Sequence, residues 1–312
     1  MGIMRVDHRN LTELPLFSDD IKLIDCVGNS ISHLPDLPSG LVELHCGNNE
    51  LTWLPKLPET LEILHCGNNK ITTLPALPSS LKKLCCSGNQ LASLPELPKG
   101  LEVLECGGNQ LTLLPALPTT LVNLSCSGNK LPTLPAIKDT HIVDFYCNYN
   151  ELKALPELPS TLERLICGFN QLTFLPELPP ALVLVQCENN QITLLPALPQ
   201  SLLTLNCSNN QISVIPTLPK NLGNLIFEHN NVVNLPQLPD SLSVICCCDN
   251  KLNYLPQLPS SLTHLFCHNN NMTFLPAFPN GLIAAHIYGN QVAVLPVFPS
   301  TLQQVISRVP EV

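Results

Sequence analysis

Residues Leu101–Thr120 read LEVLECGGNQLTLLPALPTT. Leu101, Leu104, Cys106, Leu111, Leu114 and Leu117 are spaced through this stretch, Asn109 sits at its centre, and Leu114-Pro115 and Leu117-Pro118 close it. The same spelling returns along nearly the whole chain. From Ile21 to Thr301 there are 14 such units, 13 of 20 residues and one, Leu121–His141, of 21. Counting each unit from its first apolar residue, all 14 carry Asn at position 9, from Asn29 to Asn290, and Pro at position 15, from Pro35 to Pro296. Twelve carry Cys at position 6, and Phe227 and Ile287 stand in the other two. Residues 1–20 fill one degenerate slot before the array. Residues 302–312 begin an incomplete slot after it, with Leu302, Val305 and Ser307 in register. A length of 312 residues alone would suggest two domains. The repeat overrides that prior, and residues 1–312 read as a single solenoid.

Each fixed position has a physical reason. Positions 3 to 5 are expected to form a short parallel strand with position 4 inward and 3 and 5 outward. One unit cannot bury its leucines alone, so neighbours must stack and share a core. Asn at position 9 sits where the chain leaves the strand and can satisfy backbone groups of its own and the adjacent turn, giving a ladder of amides. Leu-Pro-x-Leu-Pro excludes helix, because proline lacks the donor and restrains its predecessor, and polyproline-II geometry fits. Fourteen to sixteen strands about 4.8 Å apart would trace an arc on the order of 65–75 Å.

This spelling is that of a leucine-rich repeat, and it resembles the bacterial short (LPX) subtype, L-x-x-L-x-V-x-x-N-x-L-x-x-L-P-x-L-P-x-x, with Cys where the subtype has Val. The resemblance covers about nine-tenths of the chain. The subtype includes the YopM-like and IpaH-type effectors that pathogens inject into host cells. It implies a right-handed, horseshoe-like, nearly helix-free solenoid, conventionally of the α/β class, with a parallel β-sheet on the concave face and extended segments on the convex face. It also implies a non-enzymatic module that recruits host proteins such as kinases or ubiquitin-pathway components. IpaH-type relatives carry a ubiquitin-ligase domain with a Cys-x-Asp motif. Cys247-Cys248-Asp249 has that spelling but lies inside a repeat, with Cys247 in the position-6 column, so the role is not carried over. The helical N-terminal cap of the subtype looks absent. Uncapped ends invite end-to-end association, which Pro310 would blunt at the C-terminal side. A self-assembling scaffold is therefore the alternative function.

Composition narrows the partner. Net charge is −9, with 15 Lys and Arg against 24 Asp and Glu, so a nucleic-acid surface is not expected. No apolar run is long enough to span a membrane, and the first residues have no signal-peptide core. Twelve Cys at one inward position read as small packing hydrophobes and point to a reducing cytosol, that of the host if the protein is exported. Adjacent ladder sulfurs would lie about one strand spacing apart, too far for a disulfide without backbone movement.

Function is then sought in columns, meaning one position followed through successive turns. Three features emerge in the outward columns. Asp25, His45, His65, Cys85 and Glu105 occupy successive rungs, all of metal-ligand type, and His45, His65 and Cys85 are the candidate metal ligands. A flat row hinders tetrahedral closure, so no cofactor is assigned. Cys246 and Cys248 share a face beside His268 and are expected to be exposed. Around the 21-residue unit, where Ile137-Lys138 replaces the second Leu-Pro, Asp144, Tyr146, Tyr149, Arg164, Ile166 and Phe169 gather in strand-face columns as candidate partner-binding residues. Acidic residues exceed basic ones on this face, so a partner of basic or mixed character is expected. Trp53, Phe174, Tyr254 and Phe274 share position 13 outside the strand and offer a lateral surface.

Overall fold

The computed structural model describes residues 2–306 and divides the chain into two compact units, 1–152 and 153–312. Ser307 and Pro310, with their terminal roles, lie outside the described residues. The first unit carries eight strands: β1 (Gly2–Arg5), β2 (Ile21–Asp25), β3 (Glu43–His45), β4 (Ile63–His65), β5 (Lys83–Cys85), β6 (Val103–Glu105), β7 (Asn123–Ser125) and β8 (Asp144–Tyr146). The second carries β9 (Arg164–Ile166), β10 (Leu184–Gln186), β11 (Thr204–Asn206), β12 (Asn224–Ile226), β13 (Val244–Cys246), β14 (His264–Phe266), β15 (Ala284–His286) and β16 (Gln304–Ile306). Within each unit the strands pair in chain order and all in parallel, as in Leu44 opposite Leu64 and Leu205 opposite Leu225. No helix occurs among the described residues. Each unit is thus a parallel β-solenoid, the fold expected of the repeat.

The twenty-residue spelling accounts for each turn of the coil. In β3 to β8, position 4 is buried and positions 3 and 5 are half-buried, the alternation that a strand covered on one side requires. The leucines at positions 1, 4 and 11 of the Leu101 unit have no solvent contact. The twelve position-6 cysteines are also fully buried, and all fifteen thiols are free. Phe227 fills the same column with a larger side chain.

Asn109 shows what position 9 does. Its Oδ1 accepts from Leu91 N at 3.0 Å, and its Nδ2 donates to the Cys86 and Cys106 carbonyls at 3.1 and 3.0 Å. One side chain thereby closes its own turn and ties it to the preceding one, satisfying backbone groups that strand pairing leaves over. The same pattern recurs at Asn49, Asn210 and Asn270, among others. A second ladder, not anticipated from the sequence, runs through position 20. There Thr60, Thr120, Ser241 and Thr301, each the last residue of its unit, donate to the position-1 carbonyl of that same unit, 19 residues back, at 2.6–2.8 Å. Position 20 varies among Ser, Thr, Gly, Ala and Asn, which hides this role from a reading of fixed letters.

The extra residue of Leu121–His141 is absorbed behind the sheet. Ile137 stays buried, Thr140 turns back to the Ile137 carbonyl through N and Oγ1, and His141 N donates to Thr119 O. The strands on either side keep their register, with Leu124 opposite Phe145.

Candidate functional site

The outward columns of each unit are built by strand geometry alone. Residues at positions 3 and 5 of one strand lie side by side with those of the next, so column chemistry becomes surface chemistry.

In the first unit, Asp25, His45, His65, Cys85 and Glu105 are in-register neighbours along β2 to β6, as the spacing requires. The His45 and His65 Nδ1 atoms approach to 3.2 Å, with the rings edge to face and their centroids 4.6 Å apart. Glu43 Oε2 lies 3.2 Å from His45 Nε2. Burial pushes the His65 pKa down, helped by the charges of His45 and Lys83. Cys85 is pushed up to about 12 by burial and by a hydrogen bond to Glu105, so its thiol is protonated near neutral pH. Among the described residues no three His, Cys, Asp or Glu side chains are arranged to hold a metal ion, so His45, His65 and Cys85 do not form a three-ligand site.

Cys246 and Cys248 overturn an expectation. They are 9% and 1% exposed. Ile226 and Phe266 flank Cys246 on the paired strands, and His268 and Glu228 occupy the Cys248 column on either side, so bulky neighbours cover both sulfurs. Burial holds both thiols near 12, against redox or metal reactivity.

The sequence reading missed what surrounds them. His264, Phe266, His286, His268 and Tyr288 form a continuous run of ring contacts on β14, β15 and the turns that follow. Phe266 meets His286 edge to face at 4.7 Å, and His268 stacks on Tyr288 at 4.4 Å. His268 is pushed down by burial against the opposing pull of Asp249. The signal was present as aromatic and imidazole residues at positions 3, 5 and 7 of two neighbouring turns, but single columns do not display it.

Of the six candidate binding residues, Asp144 and Tyr146 are half-buried on β8, while on β9 Arg164 is exposed and Ile166 half-buried. Tyr149 and Phe169 are not in the strands. Each lies three residues beyond one, at φ 54° and 55°. This position 8 is left-handed throughout. The other turns fill it with Gly28, Asn48, Asn68, Gly88, Gly108, Gly128, Asn189, Asn209, His229, Asp249, Asn269 and Gly289. Asn, Asp and Gly tolerate that conformation, whereas bulky side chains are strained there. Tyr149 and Phe169 nevertheless remain 54% and 37% exposed. Trp53, Phe174, Tyr254 and Phe274 are exposed as well.

YopM from Yersinia enterocolitica WA-314 superposes with a TM-score of 0.86 at 34% identity, over 98% of this chain and 73% of that one. The chain belongs to the leucine-rich-repeat family of YopM. YopM of Yersinia pestis, a leucine-rich effector protein, matches with a TM-score of 0.78 at 34% identity over 90% of this chain and 87% of that one. The functional domain of InlJ from Listeria monocytogenes, which includes a cysteine ladder, shares the fold at 24% identity and a TM-score of 0.69, over 89% and 64% of the two chains. The Leucine Rich Repeat family matches residues 201–225. Comparison with curated protein sequences gives no significant match. As in other leucine-rich-repeat proteins similar to YopM, the repeats constitute a protein-interaction module. Among the described residues no helix is long and apolar enough to cross a membrane.

Proposed function

We propose that this chain is a non-enzymatic recruiter that binds a protein partner through its outward strand-face columns and the left-handed turn that follows them, as an effector acting on host signalling or ubiquitin-pathway proteins in a reducing cytosol. The observation that carries this reading is the pair Tyr149 and Phe169. Each unit holds one large aromatic side chain, exposed, at a backbone position where every other turn has Gly, Asn, Asp or His. A left-handed conformation costs an ordinary L-residue roughly 1–2 kcal/mol. Such strain concentrates at functional positions, and exposed aromatics are favoured anchors of interfaces. Asp144 and Tyr146 accompany Tyr149 in the first unit, and Arg164 and Ile166 accompany Phe169 in the second. Fifteen free thiols suit a reducing compartment, and the likeness to a leucine-rich effector supports the effector role.

The test is capture of partners from a eukaryotic lysate, comparing wild type with Tyr149→Asn and, separately, Phe169→Asn. Asn is at home in this column, so each variant keeps the solenoid, as far-ultraviolet circular dichroism would check. A partner retained by wild type and depleted at least tenfold by either variant supports the reading. Undiminished capture by both variants refutes the anchor assignment. Wild type that captures only itself refutes the recruiter and favours the scaffold.

A further inference from the structure

We propose that His45 and His65 form a two-imidazole binding site for a first-row divalent metal ion, of which Zn²⁺ is the natural probe, on the strand face of the first unit. Three observations converge on it. The first is the spacing of the donors. β3 and β4 pair in register, and His45 and His65 end the two strands on the same face. Their Nδ1 atoms stand 3.2 Å apart. Two Zn–N bonds of about 2.0–2.1 Å at a tetrahedral angle separate the nitrogens by roughly 3.3 Å. The nitrogen separation therefore matches the bite of a shared metal.

The second is the carboxylate behind one ring. Glu43 is two residues before His45, so the strand puts both on one face. Glu43 Oε2 lies 3.2 Å from His45 Nε2, which donates to it. That contact fixes the tautomer with the proton on Nε2 and leaves a lone pair on Nδ1, the carboxylate–histidine–metal arrangement of ligating imidazoles.

The third is the other ring. His65 Nδ1 faces the His45 Nδ1 lone pair and donates to it, and its Nε2 is buried without a hydrogen-bond partner, so metal binding moves the His65 proton from Nδ1 to Nε2 and frees the second lone pair. Cys85, on the next rung, is hydrogen-bonded to Glu105 and stands outside the proposed pair. The site is thus an open one, with two imidazole ligands and positions left for water or an incoming donor.

The experiment is titration of the intact chain with Zn²⁺ by calorimetry, and with Co²⁺ by absorption, in a reducing buffer that does not chelate. One equivalent is expected to bind, without the near-ultraviolet charge-transfer band that a thiolate adds to Co²⁺. His45→Gln and His65→Gln should each abolish it, and Glu43→Gln should weaken it about 10- to 100-fold at unchanged stoichiometry. In wild type, imidazole NMR signals should shift for His45 and His65 alone among the nine histidines, a readout that survives any folding defect of the variants. Absence of binding at millimolar metal, a thiolate band, or binding that persists in both histidine variants would overturn the proposal.

Discussion

Raising the pH should dismantle this protein through its cysteine ladder. Eleven ladder thiols, from Cys26 to Cys267, have no solvent contact and are pushed upward from an ordinary value of 9.0, chiefly by burial; Cys126 and Cys207 reach about 12. Below pH 9 both folded and unfolded chains hold these protons, and nothing is lost. Above it the unfolded chain releases them while the fold retains them, so stability falls as pH rises. Each thiol subtracts RT ln(1 + 10^(pH − 9.0)), which is about 0.06 kcal/mol at pH 8, about 0.4 at pH 9 and about 1.4 at pH 10. Over eleven thiols the loss is about 0.6, 4.5 and 16 kcal/mol at those three values. Against a total stability of roughly 5–15 kcal/mol, the midpoint should fall between about pH 9 and 10, and the transition should be steep. Circular dichroism after equilibration at stepped pH, approached from native and from urea-unfolded chain, measures the midpoint. A pH-stat should register about seven protons released per chain unfolded at pH 9, about half of one from each of the eleven ladder thiols and from each of Cys85, Cys246 and Cys248, whose thiols are held up as well. A chain that is still native at pH 10.5 from both directions would refute the reasoning, since no reservoir of buried protonated thiols could then be opposing the fold.

Asn109→Ala should cost about 2–4 kcal/mol by urea unfolding, because Leu91 N loses its acceptor while the Cys86 and Cys106 carbonyls keep Asn89 and Asn129; a loss under about 0.5 kcal/mol would contradict the ladder's role. Ser241→Ala, which removes donations to the Lys220 and Leu222 carbonyls, should cost only about 1 kcal/mol, since that side chain is half-exposed to water. A disulfide-exchange reagent at pH 7.5 should label essentially no thiol in the native chain and all fifteen in urea; stoichiometric native labelling of Cys246 or Cys248 would contradict their burial.

The fold was legible because its determinants repeat. Fourteen copies of Asn at position 9 and Pro at position 15 expose requirements that a single copy would bury in noise. The strands then fall at positions 3 to 5, and even the inserted residue leaves them in register. The outward surface was legible only as a set of columns. The outward positions of Cys246 and Cys248 predict exposure, but the accessibility of a small side chain on the outward face depends on its neighbours, here Phe266 and His268. The left-handed turn at position 8 had a signature in its Gly, Asn and Asp content, yet Tyr149 and Phe169 interrupt it and led to a strand-face assignment. The hydroxyl ladder stayed hidden because its members are interspersed with Gly, Ala and Asn, so position 20 shows no fixed letter.

Why strain should be tolerated at Tyr149 and Phe169 follows from the energetics of one turn. The turn containing Phe169 buries Leu162, Leu165, Cys167 and Leu172 completely and Leu175 and Leu178 almost so. Each such leucine contributes roughly 1.5–3 kcal/mol on burial. A left-handed aromatic residue takes back about 1–2 kcal/mol. The core of a single turn therefore exceeds the strain severalfold, and its neighbours add further interface energy. Positions 4, 6, 9 and 11 have no such latitude, since a change there leaves a cavity or an orphaned backbone donor in adjacent turns. Variation is pushed onto positions 3, 5, 8 and 13, which face outward. A solenoid of this kind can accumulate exposed aromatics, imidazoles and charges without rebuilding its core, and that is the physical basis for recognition on these columns.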